Sequence, residues 1–151
     1  MAIASALRAH AFTAGLSEPQ IDALAVLARE VTFEENEVVL EDGQRSTSFY
    51  LVLQGSVVVE LRAPRYGVSI QSLGAGRVFG WSSLLDRQDS LFRVRARELT
   101  RVLEINGAQL RQQCFQNPLL GAEIFHRVLH VVAGRVKATE ERFAEMCGFK
   151  V

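Results

Sequence analysis

Between Val31 and Ile105 the chain is cut by glycines and charged breaks into runs too short for helices, and those runs are rich in β-branched residues. VTF, EVVLE, SFYLVLQ, SVVVELR, VSIQSL, LFRVRAR and RVLEI all suit a pleated, half-buried surface. Strands of this length and spacing predict a mainly β architecture with flanking α, a double-stranded β-helix or jelly-roll sandwich. Helical signals lie on both sides. SEPQIDALAVLARE opens with Ser17 as N-cap, Pro19 in the first turn and Gln20 at capping-box spacing, with Ile21, Leu24 and Leu27 on one side. Asn117 and Pro118 open a long helix that runs to about Met146. The expected organisation is one domain: N-terminal helices over 1–30, a β-roll over 31–106 and C-terminal helices over 107–147. No internal repeat or linker divides it.

Composition narrows the partners. The chain has 151 residues, 48% apolar and 23% charged, which is enough for a single core. Its 17 basic and 17 acidic residues cancel, so charge makes no case for nucleic acid or anionic lipid. No stretch reaches the ~18 apolar residues of a membrane span, and no basic region precedes the apolar part of MAIASALRAH as a secretory signal requires. Cys114 and Cys147 read as isolated thiols, which fits a reducing, cytoplasmic setting.

LGAGRVFGWSSLL, from Leu73 to Leu85, carries the chemistry. Glycines 74, 76 and 80 allow positive φ and close approach to a ligand. N–H groups opening a helical turn near Ser82 and Ser83 would face an anion, with phosphate the natural candidate. A plain β-corner is the alternative.

The order of motifs from Val38 to Ile105 resembles the cyclic nucleotide-binding domain of catabolite-activator-type regulators, kinase regulatory subunits and gated channels. Asp42 and Gly43 precede FYLVLQGSVVVELR, which looks like the family's strand, glycine turn and following strand. LGAGRVFG then resembles the entry into the family's phosphate-binding cassette, followed by VRA at Val94 to Ala96 and the strand RVLEI. The resemblance implies a ligand-sensing regulatory domain that binds a cyclic nucleotide or another small anion.

Two positions depart from the family. Trp81 stands where its glutamate meets the ribose hydroxyl, and Ser90, nine positions on, stands where its arginine meets the phosphate. Each lost contact is charge-assisted and worth roughly 1.5–3 kcal/mol. Losing both predicts cAMP or cGMP affinity lower by about two to four decades. Arg87 and Arg93 flank the phosphate position. Strand alternation puts Arg93, Arg95 and Arg97 on one face, read as a solvated row, which leaves Arg87 as the better substitute. Trp81 is either core filler or an aromatic platform for a planar base. The candidate ligand wall is Phe79, Gly80, Trp81, Ser82 and Ser83, with Arg87, Ser90 and Leu91 on the far side.

On the long helix, Ala122, Phe125, Leu129, Val132, Val136, Thr139, Phe143 and Met146 recur at spacings of three and four. Ile124, Val128 and Val131 mark a second face. One face would cover the roll while the other meets a partner, by the resemblance a second copy or an effector protein; the alternative is one helix buried on its own domain. Only five residues follow Met146, so no helix-turn-helix is expected to read DNA, and the chain reads as a stand-alone sensor or a piece of a longer protein. The competing function is a degenerate roll that docks or dimerises without nucleotide.

Catalysis finds little support. His10, His126 and His130 all lie outside the β-region, so no strand-borne metal cluster forms; His126 and His130, four apart, lack a further ligand. Ser82 and Ser83 lack the nucleophile-elbow pattern and a nearby base. No enzyme, cofactor or resident metal is expected.

Overall fold

Ser17 caps the second N-terminal helix as its spacing predicts. The Gln20 N–H donates to its hydroxyl while its own N–H donates to the Gln20 side chain. The protein is described by a computed structural model that covers residues 2–62, 67–85 and 92–148. Helix α1 is Ala2–Ala9 and α2 is Glu18–Ala25. The sequence reading carried α2 on to Glu30. Instead Ala28–Phe33 is strand β1, paired from Ala28 opposite Ile105 to Phe33 opposite Thr100. Closing a sheet edge satisfies a whole row of backbone groups, which outweighs the helix propensity of one more turn. The roll therefore begins at Ala28 rather than Val31.

The remaining strands are β2 (Val38–Leu40), β3 (Ser48–Gln54), β4 (Ser56–Arg62), β5 (Gly67–Gly74), β6 (Val78–Phe79), β7 (Arg93–Ala96) and β8 (Thr100–Asn106). They form two antiparallel four-stranded sheets, ordered β1-β8-β3-β6 and β2-β7-β4-β5. All seven expected runs contribute a strand. The two-residue β6 was missed, because only its pairing with Tyr50 and Leu51 distinguishes it from a loop.

Strand β3 explains where the core lies. Its side chains alternate, so Phe49 and Leu51 join Leu103 and Ile105 in a cluster facing the helices, while Tyr50 and Val52 join Val57, Val59, Val94 and Val102 between the sheets. A strand covered on both faces reads as an unbroken apolar run, as FYLVL does. Each fully buried side chain of this kind contributes roughly 1.5–3 kcal/mol. Phe79 stacks on Tyr50 at 4.6 Å, tying β6 into the second cluster.

Helix α3 (Gly107–Gln116) is capped by Asn106, and α4 (Pro118–Met146) by Asn117, whose side chain accepts from the Leu120 N–H. Pro118 suits the first turn of α4 because its missing N–H would have had no helical partner. Ile124, Val128 and Val131 turn inward against the helix-facing core. On the other side Leu129, Val136, Phe143 and Met146 stay more than half exposed, so α4 keeps an exposed apolar face. Further along, the Arg142 guanidinium donates to the Ser69 carbonyl and holds the helix to β5.

Candidate functional site

Phe79 to Leu84 turns into the body of the domain. Phe79 is fully buried, Ser82, Ser83 and Leu84 are buried, Trp81 is partly buried and Leu85 is half exposed. Gly80 makes the corner at φ 82°, where an added Cβ would run into the Ser48 carbonyl, so the position demands glycine. Gly76 also has positive φ, whereas Gly74 does not, so the expectation made for three glycines holds for two. A 3-10 turn, Trp81–Leu84, follows. The Ser83 N–H and hydroxyl both donate to the Gly80 carbonyl, at 3.0 and 2.7 Å, and close the turn upon itself. Ser82 lies in the same turn, facing inward.

Trp81 is half-buried, with the Arg135 guanidinium over its ring at 5.9 Å from the centroid. The same guanidinium lies 5.5 Å from the centre of the Phe92 ring. Arg135 belongs to α4, is only 8% exposed, and donates from Nε to Gln71 Oε1 at 3.0 Å. Burial lowers its pKa to about 10. Among the described residues no carboxylate comes within ion-pair distance of it. The indole N–H of Trp81 is likewise buried without an acceptor. Arg87, Ser90 and Leu91 lie outside the described residues.

Sequence reasoning passed over Arg135, although a signal was present. The inward stripe of Ile124, Val128 and Val131 reaches position 135 at the next helical step, so a cation occupies a core-facing site.

The arginine row on β7 is a correction. It was expected to be solvated, but cross-strand register places Arg93 opposite Glu60 of β4. Arg93 and Arg95 close on the two oxygens of that carboxylate at 3.0 and 3.1 Å, and the Glu60 side chain is 9% exposed. Burial alone would raise the Glu60 pKa, yet the hydrogen bonds from Arg95 and Arg93 prevail and hold it below the usual range. Arg97 donates to Ser72.

The histidines form no metal site among the described residues. His126 and His130 meet edge to face at 4.8 Å on the exposed side of α4. His10 is buried, with Nδ1 accepting from the Phe12 N–H and Nε2 donating to the Val52 carbonyl. Both cysteines are free, Cys147 exposed and Cys114 buried, and burial pushes the Cys114 thiol up to about 11. Among the described residues no helix is long and apolar enough to cross a membrane.

Two antiparallel four-stranded sheets flanked by N- and C-terminal helices make the jelly roll of cyclic nucleotide-binding domains. The chain belongs to the cyclic nucleotide-binding domain family, whose sequence profile matches residues 30–117. A protein of Rhodopseudomonas palustris described as a potassium channel protein is 33% identical over 108 residues, which are 72% of this chain and 24% of that one. The chain thus spans about a quarter of the length of the curated relative it matches. A cyclic nucleotide-binding protein of Geobacter metallireducens has a similar structure, with TM-score 0.79 and 28% identity over 90% of this chain and 99% of that one. A cyclic nucleotide-binding domain of Methylobacillus flagellatus shares the fold at TM-score 0.79 and 20% identity, over 95% of this chain and 82% of that one. Family and fold are those of regulatory binding domains rather than of enzymes.

Proposed function

We propose that this chain is a cytoplasmic ligand-sensing domain, in which a cyclic nucleotide or a related small anion lies against Phe79 to Ser83 and helix α4 reports its presence. The observation that carries this reading is the contact between α4 and the glycine corner: Arg135 crosses from the helix to the Trp81 ring. A ligand that reshapes the corner acts on the helix without an intermediary, which is what a two-state shift of α4 requires. Trp81 and Ser90 stand where the family has its glutamate and arginine, so ordinary cAMP and cGMP affinity is reduced. The exposed face of α4 supports a homodimer, or an effector protein docked on the same residues.

Calorimetry and thermal shift with cAMP, cGMP and cyclic di-GMP test this directly. Saturable heat together with a raised melting temperature is the expected result. A second reading, a roll that docks or dimerises without nucleotide, is favoured by the open apolar face of α4. It prevails if millimolar ligand gives neither heat nor shift.

A further inference from the structure

Four lysines and arginines lie along α4, and three of them have a carboxylate on the same helix. Arg127 pairs with Glu123, Lys137 with Glu141 and Arg142 with Glu145. Arg135 is the exception and is also the buried one. Among the described residues its one side-chain hydrogen bond, from Nε to Gln71, engages one of five N–H donors. An unpaired buried charge is costly, and two aromatic faces offset only part of that cost. Next to it the indole N–H of Trp81 is buried without an acceptor. A buried guanidinium with no carboxylate partner among the described residues and an indole N–H without an acceptor therefore lie side by side, between the glycine corner and the reporter helix.

We propose that Arg135 is the anion anchor of this roll: it pairs with an oxyanion of the ligand, and Trp81 Nε1–H supplies a second donor. The proposal rests on the ligand-sensing reading and changes how that reading works. The charge that holds the anion is carried by α4, not by the turn, so an occupied site clamps the helix onto β5 and the corner. The ligand class is an oxyanion of phosphate type, either the phosphodiester of a cyclic nucleotide or a free phosphate.

The full chain is compared with Arg135→Met, which keeps the length of the stem and removes the charge, with Arg135→Lys, with Trp81→Phe, and with Lys137→Met as a control on the exposed side of the same helix. Probes are cAMP, cGMP, uncharged adenosine and inorganic phosphate at constant ionic strength, followed by calorimetry and melting temperature. The expected result is that the cyclic nucleotides bind and adenosine does not, and that Arg135→Met weakens binding on the order of ten- to a hundred-fold. Arg135→Lys falls between, Trp81→Phe loses less, and Lys137→Met is unchanged. Without ligand, Arg135→Met melts at or above the wild type, because an unpaired buried charge has been replaced by an apolar stem. Wild-type affinity in Arg135→Met overturns the anchor and leaves the sensor reading intact. A stabilisation by phosphate that Arg135→Met abolishes, with no cyclic-nucleotide binding, supports the anchor and removes the nucleotide reading. No effect of any of these anions on the wild type overturns the anchor, and a melting temperature of Arg135→Met below the wild type then marks the residue as packing.

Discussion

Gly107 lies so close to Ser83 that a Cβ built upon it would stand 2.5 Å from the Ser83 side chain and carbonyl. The first turn of α3 is thus seated on the glycine corner, and α3 passes into α4 through Asn117. Corner and helical tail are joined twice, here by close packing and at Arg135 by the ring contact with Trp81.

Gly107→Ala should therefore cost about 1–3 kcal/mol, the usual effect of overpacking a tight site. Urea denaturation measures it. Wild-type stability would mean that α3 rides free of the corner, and the mechanical link would fail with it.

Glu60 makes a second case. Glu60→Gln leaves Arg93 and Arg95 facing a neutral amide and should destabilise the roll by about 2–3 kcal/mol, less than a fully buried pair because the arginine side chains are 22% and 28% exposed. The folded-state pKa of Glu60 is depressed, so its contribution is complete above the unfolded value of about 4.3 and is lost as pH falls through the folded value. Wild-type stability should fall more steeply with acid than that of Glu60→Gln, whose acid slope is shallower, and the two should converge once Glu60 is protonated.

His10 is a second group whose pKa the fold lowers. Burial lowers its pKa despite the hydrogen bond to the Val52 carbonyl, so the unfolded chain takes up the proton first. Stability should fall as pH drops below about 6.5 and level off once the folded histidine is protonated. His10→Gln removes that slope while lowering stability at pH 7. A slope that survives the substitution assigns it to another group.

How much of this was legible in the sequence differs from element to element. β3 and β4 announced themselves through unbroken β-branched and aromatic runs, because a strand buried on both faces has no polar alternation to obscure it. The end of α2 was misread because Leu27 to Glu30 has helical residues, and only the distant partner β8 decides otherwise. The same holds for Arg93 and Arg95: charge on one strand face looks solvated until the register sets Glu60 across from it. Gly80 and its corner were readable from local backbone chemistry, whereas Arg135 is 54 residues from Trp81 in the chain, counting from 81 to 135, and only the packing of α4 brings them together.

The outer face of α4 carries its own test. Leu129→Glu combined with Val136→Glu places charge on two residues that are 65% and 51% exposed, so the fold of one copy should be undisturbed. Sedimentation should give a dimer for the wild type at high micromolar concentration and a monomer for the variant. A wild type that stays monomeric ends the homodimer proposal.

Trp81 is the chain's one tryptophan, and it stands at the corner beneath the Arg135 guanidinium. Its emission is a built-in reporter of the place where ligand, corner and helix are proposed to meet. Titration of the full chain with cAMP and with cGMP should produce a saturable change in that emission. A flat response to both nucleotides through millimolar concentration would contradict the proposed sensing of either one at this site.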